Sequence, residues 1–141
     1  MIELNNINIH FDSPIIENGS LQIYPGVSLI VGKSGTGKTT LLYRIALISE
    51  DKRYNYRIDN HTIDLNNEKK VSFIRKNNIG YVLQDNNLFE HYTVIENLKH
   101  YAILNHQEVN YNQILQLVNL DIDINRKISE LSGGEKQRVA I

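Results

Sequence analysis

Gly32, Gly37, Lys38 and Thr39 stand at the spacing G-x-x-x-x-G-K-[ST], and that spacing carries a definite chemistry. Glycines permit positive φ and keep side chains away from a backbone that must curl around oxygen atoms. Successive N–H groups can then face one concavity, where the N-terminus of a following helix adds its partial positive charge. Lys38 supplies a mobile full charge for the β- and γ-phosphates of a nucleotide. Thr39 offers a hydroxyl to Mg²⁺, which prefers hard oxygen ligands. Ser34, Gly35, Thr36 and Thr40 complete the residues expected to line the phosphates. The competing reading is a glycine-rich turn with an incidental lysine, which ordinary residue frequencies produce in about one chain in two hundred of this size.

Such a loop works between a strand that ends at it and a helix that begins at it, and the flanking residues carry both patterns. Val27-Ser28-Leu29-Ile30-Val31 is largely β-branched with little polarity on either face, which predicts a central, buried strand. Leu41, Leu42, Ile45, Ala46 and Ile48 follow at helical spacing. Upstream, Ile2, Leu4, Ile7 and Ile9 alternate around a register break near Asn6 and predict a strand to Phe11; Leu21-Gln22-Ile23-Tyr24 predicts a short second one before the Pro25-Gly26 turn. Tyr56, Ile58 and Ile63 mark a peripheral hairpin between Tyr54 and Asp64. From Glu68 to Lys76 the spacing predicts a short helix with Val71 and Ile74 inward. Its Lys69, Lys70, Arg75 and Lys76 are placed outward, as a solvated face rather than a phosphate track. Ile79-Gly80-Tyr81-Val82-Leu83 predicts another strand ending at Gln84. Thr93 and Glu96 carry a capping-box pattern for a helix through about Asn105, and a further helix runs from about Tyr111 to Val118.

Composition narrows the class. Of 141 residues, 41% are hydrophobic and 22% charged, the ordinary range of a globular domain. A net charge of -1 and a pI near 6.5 give no global positive field, so no nucleic-acid partner is expected. The absence of cysteine excludes disulfides, thiolate zinc sites and cysteine nucleophiles. With no signal-like N-terminus and no apolar run near 18 residues, the chain is expected in the cytoplasm unless a partner brings it to a membrane. Asn18-Gly19-Ser20 and Asn60-His61-Thr62 are read as chance glycosylation triplets. No repeat, low-complexity tract or interdomain linker appears, which leaves a single domain.

Two later segments narrow the reading further. Ser132-Gly133-Gly134 offers a hydroxyl and two open N–H groups ahead of good helix formers. Alone it is better read as an ordinary helix start than as an anion-facing one. It lies, however, within Leu131-Ser132-Gly133-Gly134-Glu135-Lys136-Gln137-Arg138, which resembles the signature sequence of the ATP-binding-cassette (ABC) family. Tyr81-Val82-Leu83-Gln84-Asp85 is similar to that family's Q-loop, and Thr93-Val94-Ile95-Glu96-Asn97 to its helical subdomain. The resemblance covers essentially the whole chain.

What the resemblance implies is specific. The fold is an α/β phosphate-loop nucleoside triphosphatase of ABC type, truncated before the Walker B strand. Residues 1–84 form the nucleotide-binding core with an antiparallel β part, and residues 85–135 a helical subdomain with the signature. The function implied is the ATP-binding subunit of a membrane transporter, for export, on the inner face of the membrane against a transmembrane permease that meets residues 85–92. Two nucleotide-binding domains pair head to tail, with ATP between the phosphate loop of one and Ser132, Gly133 and Gly134 of the other. Gln84 approaches Mg²⁺ and the attacking water, so that Lys38 and Gln84 are the catalytic candidates and Thr39 and Gln84 those for the metal. Phe11 falls where the family keeps an aromatic residue stacked on adenine, a contact worth about 1 kcal/mol; a strand-end core aromatic is the competing reading. Residues 79–98 look most like bacterial ATPases of lipoprotein release and of macrolide or bacteriocin export.

The Walker B aspartate, the catalytic glutamate and the switch histidine of the family lie beyond Ile141. His10, His61, His91, His100 and His106 are read as surface or loop residues. The fragment is therefore expected to bind nucleotide without completing hydrolysis and to present an apolar strand edge that aggregates. The competing classes are a non-transport ABC protein, such as a translation factor, and an inactive truncated regulatory product.

Overall fold

Alternation at the start of the chain builds a long antiparallel ribbon. In the computed structural model, which describes residues 1–104 and 109–141, β1 (Ile2–His10) pairs with β2 (Pro14–Ile23), Ile2 opposite Ile23 and Ile9 opposite Ile16. The register shifts between Leu4 and Ile7, where Asn6 takes φ 58°. Asparagine tolerates that left-handed backbone, and the bulge lets Leu4, Ile7 and Ile9 all bury. The break expected near Asn6 is therefore real. β2 is longer than the short strand expected at residues 21–24 and begins at Pro14, whose missing N–H is tolerated at a strand's first residue.

β3 (Asn55–Ile58) and β4 (His61–Ile63) form a hairpin over Asp59 and Asn60, both at positive φ (44° and 66°), as the tightest two-residue loops require. β3 also pairs with β1, from Ile2 opposite Ile58 to Asn5 opposite Asn55, giving the order β2-β1-β3-β4. The hairpin expected at the periphery thus closes one edge of the sheet, with β4 outermost, while Tyr56 of the inner strand β3 is completely buried. α1 (Lys38–Ile45) and α2 (Glu68–Asn78) complete this unit, Met1–Tyr81. Asn67 caps α2 by accepting from Lys70 N. Val71 turns from α2 into the core with Leu4, Leu47 and Tyr56, a burial worth about 1.5 kcal/mol or more for such a side chain.

Two expectations fail here. Residues 27–31 are not a strand: they carry no regular structure, and Leu29 and Val31 are 84% and 77% exposed. Residues 79–83 likewise form no strand, and Val82 is exposed. The physical reason is that an apolar, β-branched segment becomes a strand only when neighbours accept its hydrogen bonds. No described segment pairs with either one. Arg75, placed outward by helical spacing, turns in instead and donates to Leu47 O at 2.8 Å.

The second unit, Val82–Ile141, is helical. It contains α3 (Val94–Leu104), α4 (Tyr111–Leu117) and α5 (Gly133–Ala140), with a single 3₁₀ turn at Ile128–Glu130. Val94, Leu115, Leu120, Ile128, Leu131 and Val139 make its core. The Thr93 capping box is present: Thr93 N donates to the Glu96 carboxylate at 2.8 Å and Glu96 N to Thr93 Oγ1 at 3.3 Å. The expected end of that helix at Asn105 lies outside the described residues. Asn97 is fully buried and fully satisfied, accepting from Phe89 N (2.8 Å) and donating to Phe89 O (3.2 Å) and Thr93 O (3.0 Å).

Candidate nucleotide site

The loop before α1 has the backbone its glycines were expected to allow. Gly35 and Gly37 take φ of 78° and 77°. Gly37 has a second reason to be glycine, since a Cβ there would lie 3.1 Å from Ile9 Cγ2 of β1. At Gly32 a Cβ would lie 2.9 Å from Thr36 Oγ1. Gly37 is also the N-cap of α1, and it has no side chain with which to accept a helix amide. The first amides of a helix have no acceptor within it, so the head of α1 keeps its donors and its partial positive charge for an outside anion.

Lys38 lies over this loop. Its Nζ donates to Gly32 O (2.9 Å) and Lys33 O (2.6 Å), and the Thr36 hydroxyl donates to Lys33 O at 2.8 Å. An ammonium group held by neutral carbonyls has a better partner in an anionic oxygen, which adds attraction between full charges to the hydrogen bond. Ser34, Gly35, Thr36 and Thr39 are exposed, and Thr40 is half-buried. Phe11, one residue past the end of β1, is 61% exposed, so its ring is no part of the core. Residues 32–40 and Phe11 all belong to the first unit.

The far end of α1 is held by buried groups. Tyr54 and Tyr56 donate their hydroxyls to Arg44 O (3.2 Å) and Ile45 O (2.8 Å). Burial pushes the Tyr54 hydroxyl up to about 12 and the Tyr56 hydroxyl higher still, so both remain donors at any ordinary pH. The Asp51 carboxyl is held below the usual carboxylate range, first by its hydrogen bonds from Arg53 and then by the nearby charges of Arg44 and Arg53.

Gln84, Ser132, Gly133 and Gly134 lie in the second unit, all exposed. α5 begins two residues earlier than helix-forming residue types suggest, at Gly133, with Ser132 as N-cap. Ser132 Oγ accepts from Glu135 N (3.3 Å), while Ser132 N donates to Glu135 Oε2 (2.7 Å). These Ser132 bonds hold the Glu135 carboxyl below its usual range. The S-x-x-E spacing that marks this box is legible in the sequence, as it is at Thr93. Arg44 gives no such signal, because its backbone acceptor on Asn8 lies 36 residues away. Among the histidines, His10, His61 and His91 are exposed. His100 is half-buried in α3, its ring edge-on to Phe89 at 4.9 Å, and His106 lies outside the described residues. No cluster of three or more metal-ligating side chains occurs among the described residues. A divalent ion in the first unit would thus take Thr39 Oγ1 and phosphate oxygens as ligands, a donor set that suits Mg²⁺.

Comparison with known proteins gives a consistent result. The family described as ABC transporter matches residues 16–141. The lipoprotein-releasing system ATP-binding protein LolD of Bacteroides thetaiotaomicron is 36% identical over 155 residues, aligned along 100% of this chain and 68% of its own length. The molybdenum import ATP-binding protein ModC of Haemophilus ducreyi is 39% identical over 117 residues, 82% of this chain and 33% of its own. This chain thus spans from a third to two thirds of these relatives. Among solved structures, the dimeric structure of a bacterial ABC transporter cassette superposes with a TM-score of 0.80 at 29% identity, covering 100% of this chain and 67% of that one. A post-hydrolysis dimer of that cassette with ADP and Pi superposes with a TM-score of 0.76 at 28% identity, covering 99% of this chain and 67% of that one.

Proposed function

We propose, for a chain that belongs to the ABC transporter family, that it is the ATP-binding subunit of a membrane transporter, where ATP binding and hydrolysis drive the movement of a substrate. The observation that carries this reading is the loop of residues 32–38. Positive-φ glycines lead into a helix whose head has no side-chain cap, with a lysine ammonium at its centre. Phosphates take the α1 amides and Lys38 Nζ, Phe11 offers its exposed ring to adenine, and Thr39 Oγ1 would hold Mg²⁺. When bound, Mg²⁺ supplies neutralisation of phosphate charge.

The solved relative, a dimeric ABC cassette, supports pairing of two copies, and the arrangement proposed for them is head to tail. In it Ser132, Gly133 and Gly134 meet the nucleotide of a second copy, with the N-terminus of α5 as the attracting charge. No described helix is long and apolar enough to cross a membrane. We place the chain at the inner face of the membrane through a permease partner that meets residues 85–92. Export is the direction we favour, because the lipoprotein-releasing relative aligns along the whole chain and the molybdenum importer along 82% of it.

The direct test is titration with fluorescent ATP. Lys38→Ala should weaken binding by about ten- to 150-fold, the scale of a lost charge-assisted hydrogen bond. Unchanged affinity would remove the phosphate assignment and the function with it.

A further inference from the structure

An arginine lies in the core of the first unit. Arg44, in the last turn of α1, is only 3% exposed. Its Nη2 donates to Asn8 O of β1 (2.6 Å) and to Asp51 Oδ2 (2.7 Å). Its guanidinium carbon lies 5.3 Å from the centre of the Tyr54 ring, and Nε and Nη1 have no hydrogen-bond partner. Two buried donors without acceptors are costly, and an apolar side chain of similar volume avoids that cost. The contacts that Arg44 does make therefore need a use that offsets it.

Those contacts fix how α1 crosses β1. At the phosphate end Gly37 packs on Ile9 of β1; at the far end Arg44 grips Asn8 of the same strand. The hydroxyls of Tyr54 and Tyr56 and the guanidinium of Arg75 hold the last carbonyls of the helix and its first residues beyond. Cationic donors at a helix C-terminus complement its negative end. An eight-residue helix is only about 12 Å long, so a helix pinned at both ends transmits its placement directly to the loop at its head. β1, gripped at Asn8 and Ile9, runs on to Phe11.

We infer that Arg44 is a positioning residue for the nucleotide: with Asp51 it holds the phosphate loop, at the head of α1, in register with Phe11, one residue past the end of β1. Adenine and phosphates of one ligand are then recognised together. This rests on the proposed ATP site at residues 32–39 and Phe11.

The test uses the intact protein and two probes, MgATP and inorganic tripolyphosphate with Mg²⁺, titrated in parallel with thermal melts. Arg44→Met keeps the bulk and loses the charge. It should reduce the preference for MgATP over tripolyphosphate by about five-fold, the size of a lost aromatic stack, with little change in tripolyphosphate affinity. Arg44→Lys should restore part of the preference, and Arg44→Met in a Phe11→Ala background should produce no further loss. Equal weakening of both probes overturns the inference. So does an unchanged preference with a lower melting temperature alone, because a merely structural arginine cannot distinguish a ligand with adenine from one without. If Arg44→Met does not fold, Asp51→Asn must show the same drop in preference, and its absence is equally decisive. Lys38→Ala separates this inference from the reading beneath it: if that variant weakens neither probe, the phosphate assignment itself is lost.

Discussion

Gly37 answers two demands at once, a φ of 77° and an approach to Ile9 that leaves 3.1 Å for a Cβ. An alanine there meets the left-handed penalty of about 1–2 kcal/mol and must also push on Ile9. Gly37→Ala should therefore lower the melting temperature and weaken ATP binding together; a variant that melts normally would show that the loop has another conformation. Asp51 makes a pH-dependent contribution. Its folded pKa is depressed by Arg53 and Arg44, so the stability it confers is present above the ordinary aspartate range and is lost as pH falls through the depressed folded value. Melting temperature should fall with acidification below roughly pH 4, and Asp51→Asn should flatten that limb. An identical acid limb in the variant would assign the loss to other carboxylates.

Capping decides where the helices begin, and it exposes a tension at α5. The Ser132–Glu135 box satisfies the helix head internally, whereas α1 has no side-chain cap at all. The two helix starts thus differ: α1 leaves its first amides without a side-chain acceptor, as the proposed ligand site would require, and α5 caps itself while Gly133 and Gly134 stay exposed. Ser132→Asp separates these roles, since aspartate caps about as well as serine but adds a negative charge. The variant should melt within about 0.5 kcal/mol of the parent stability. It should bind ATP as a monomer yet lose the ATP-dependent dimer. Dimerisation that survives, measured by light scattering with ATP, would remove the proposed trans role of residues 132–134.

At the scale of the molecule, the decisive feature is exposed apolar surface among the described residues. Val27, Leu29 and Val31 lie exposed within five residues, and an exposed run of β-branched residues is a ready template for another chain. Leu29→Lys should reduce self-association of the 141-residue chain, as followed by concentration-dependent scattering, with no loss of the β1–β4 sheet signal in circular dichroism. Equal association of parent and variant would place the sticky surface elsewhere.

What could be foreseen from residue order alone was local. The glycine spacing gave the positive-φ loop, Asn6 the bulge, and the Thr93–Glu96 pair the capping box, because each depends on residues within a few positions along the chain. The strand expected at residues 27–31 failed because its composition states only that it suits a sheet, whereas the bonds that make a strand belong to neighbours. The inward turns of Arg44 and Arg75 were invisible for the same reason. Their acceptors, Asn8 O and Leu47 O, are 36 and 28 residues away. Only tertiary contact could decide that the Arg44 charge belongs inside, since burying a guanidinium is favourable only where acceptors converge on it.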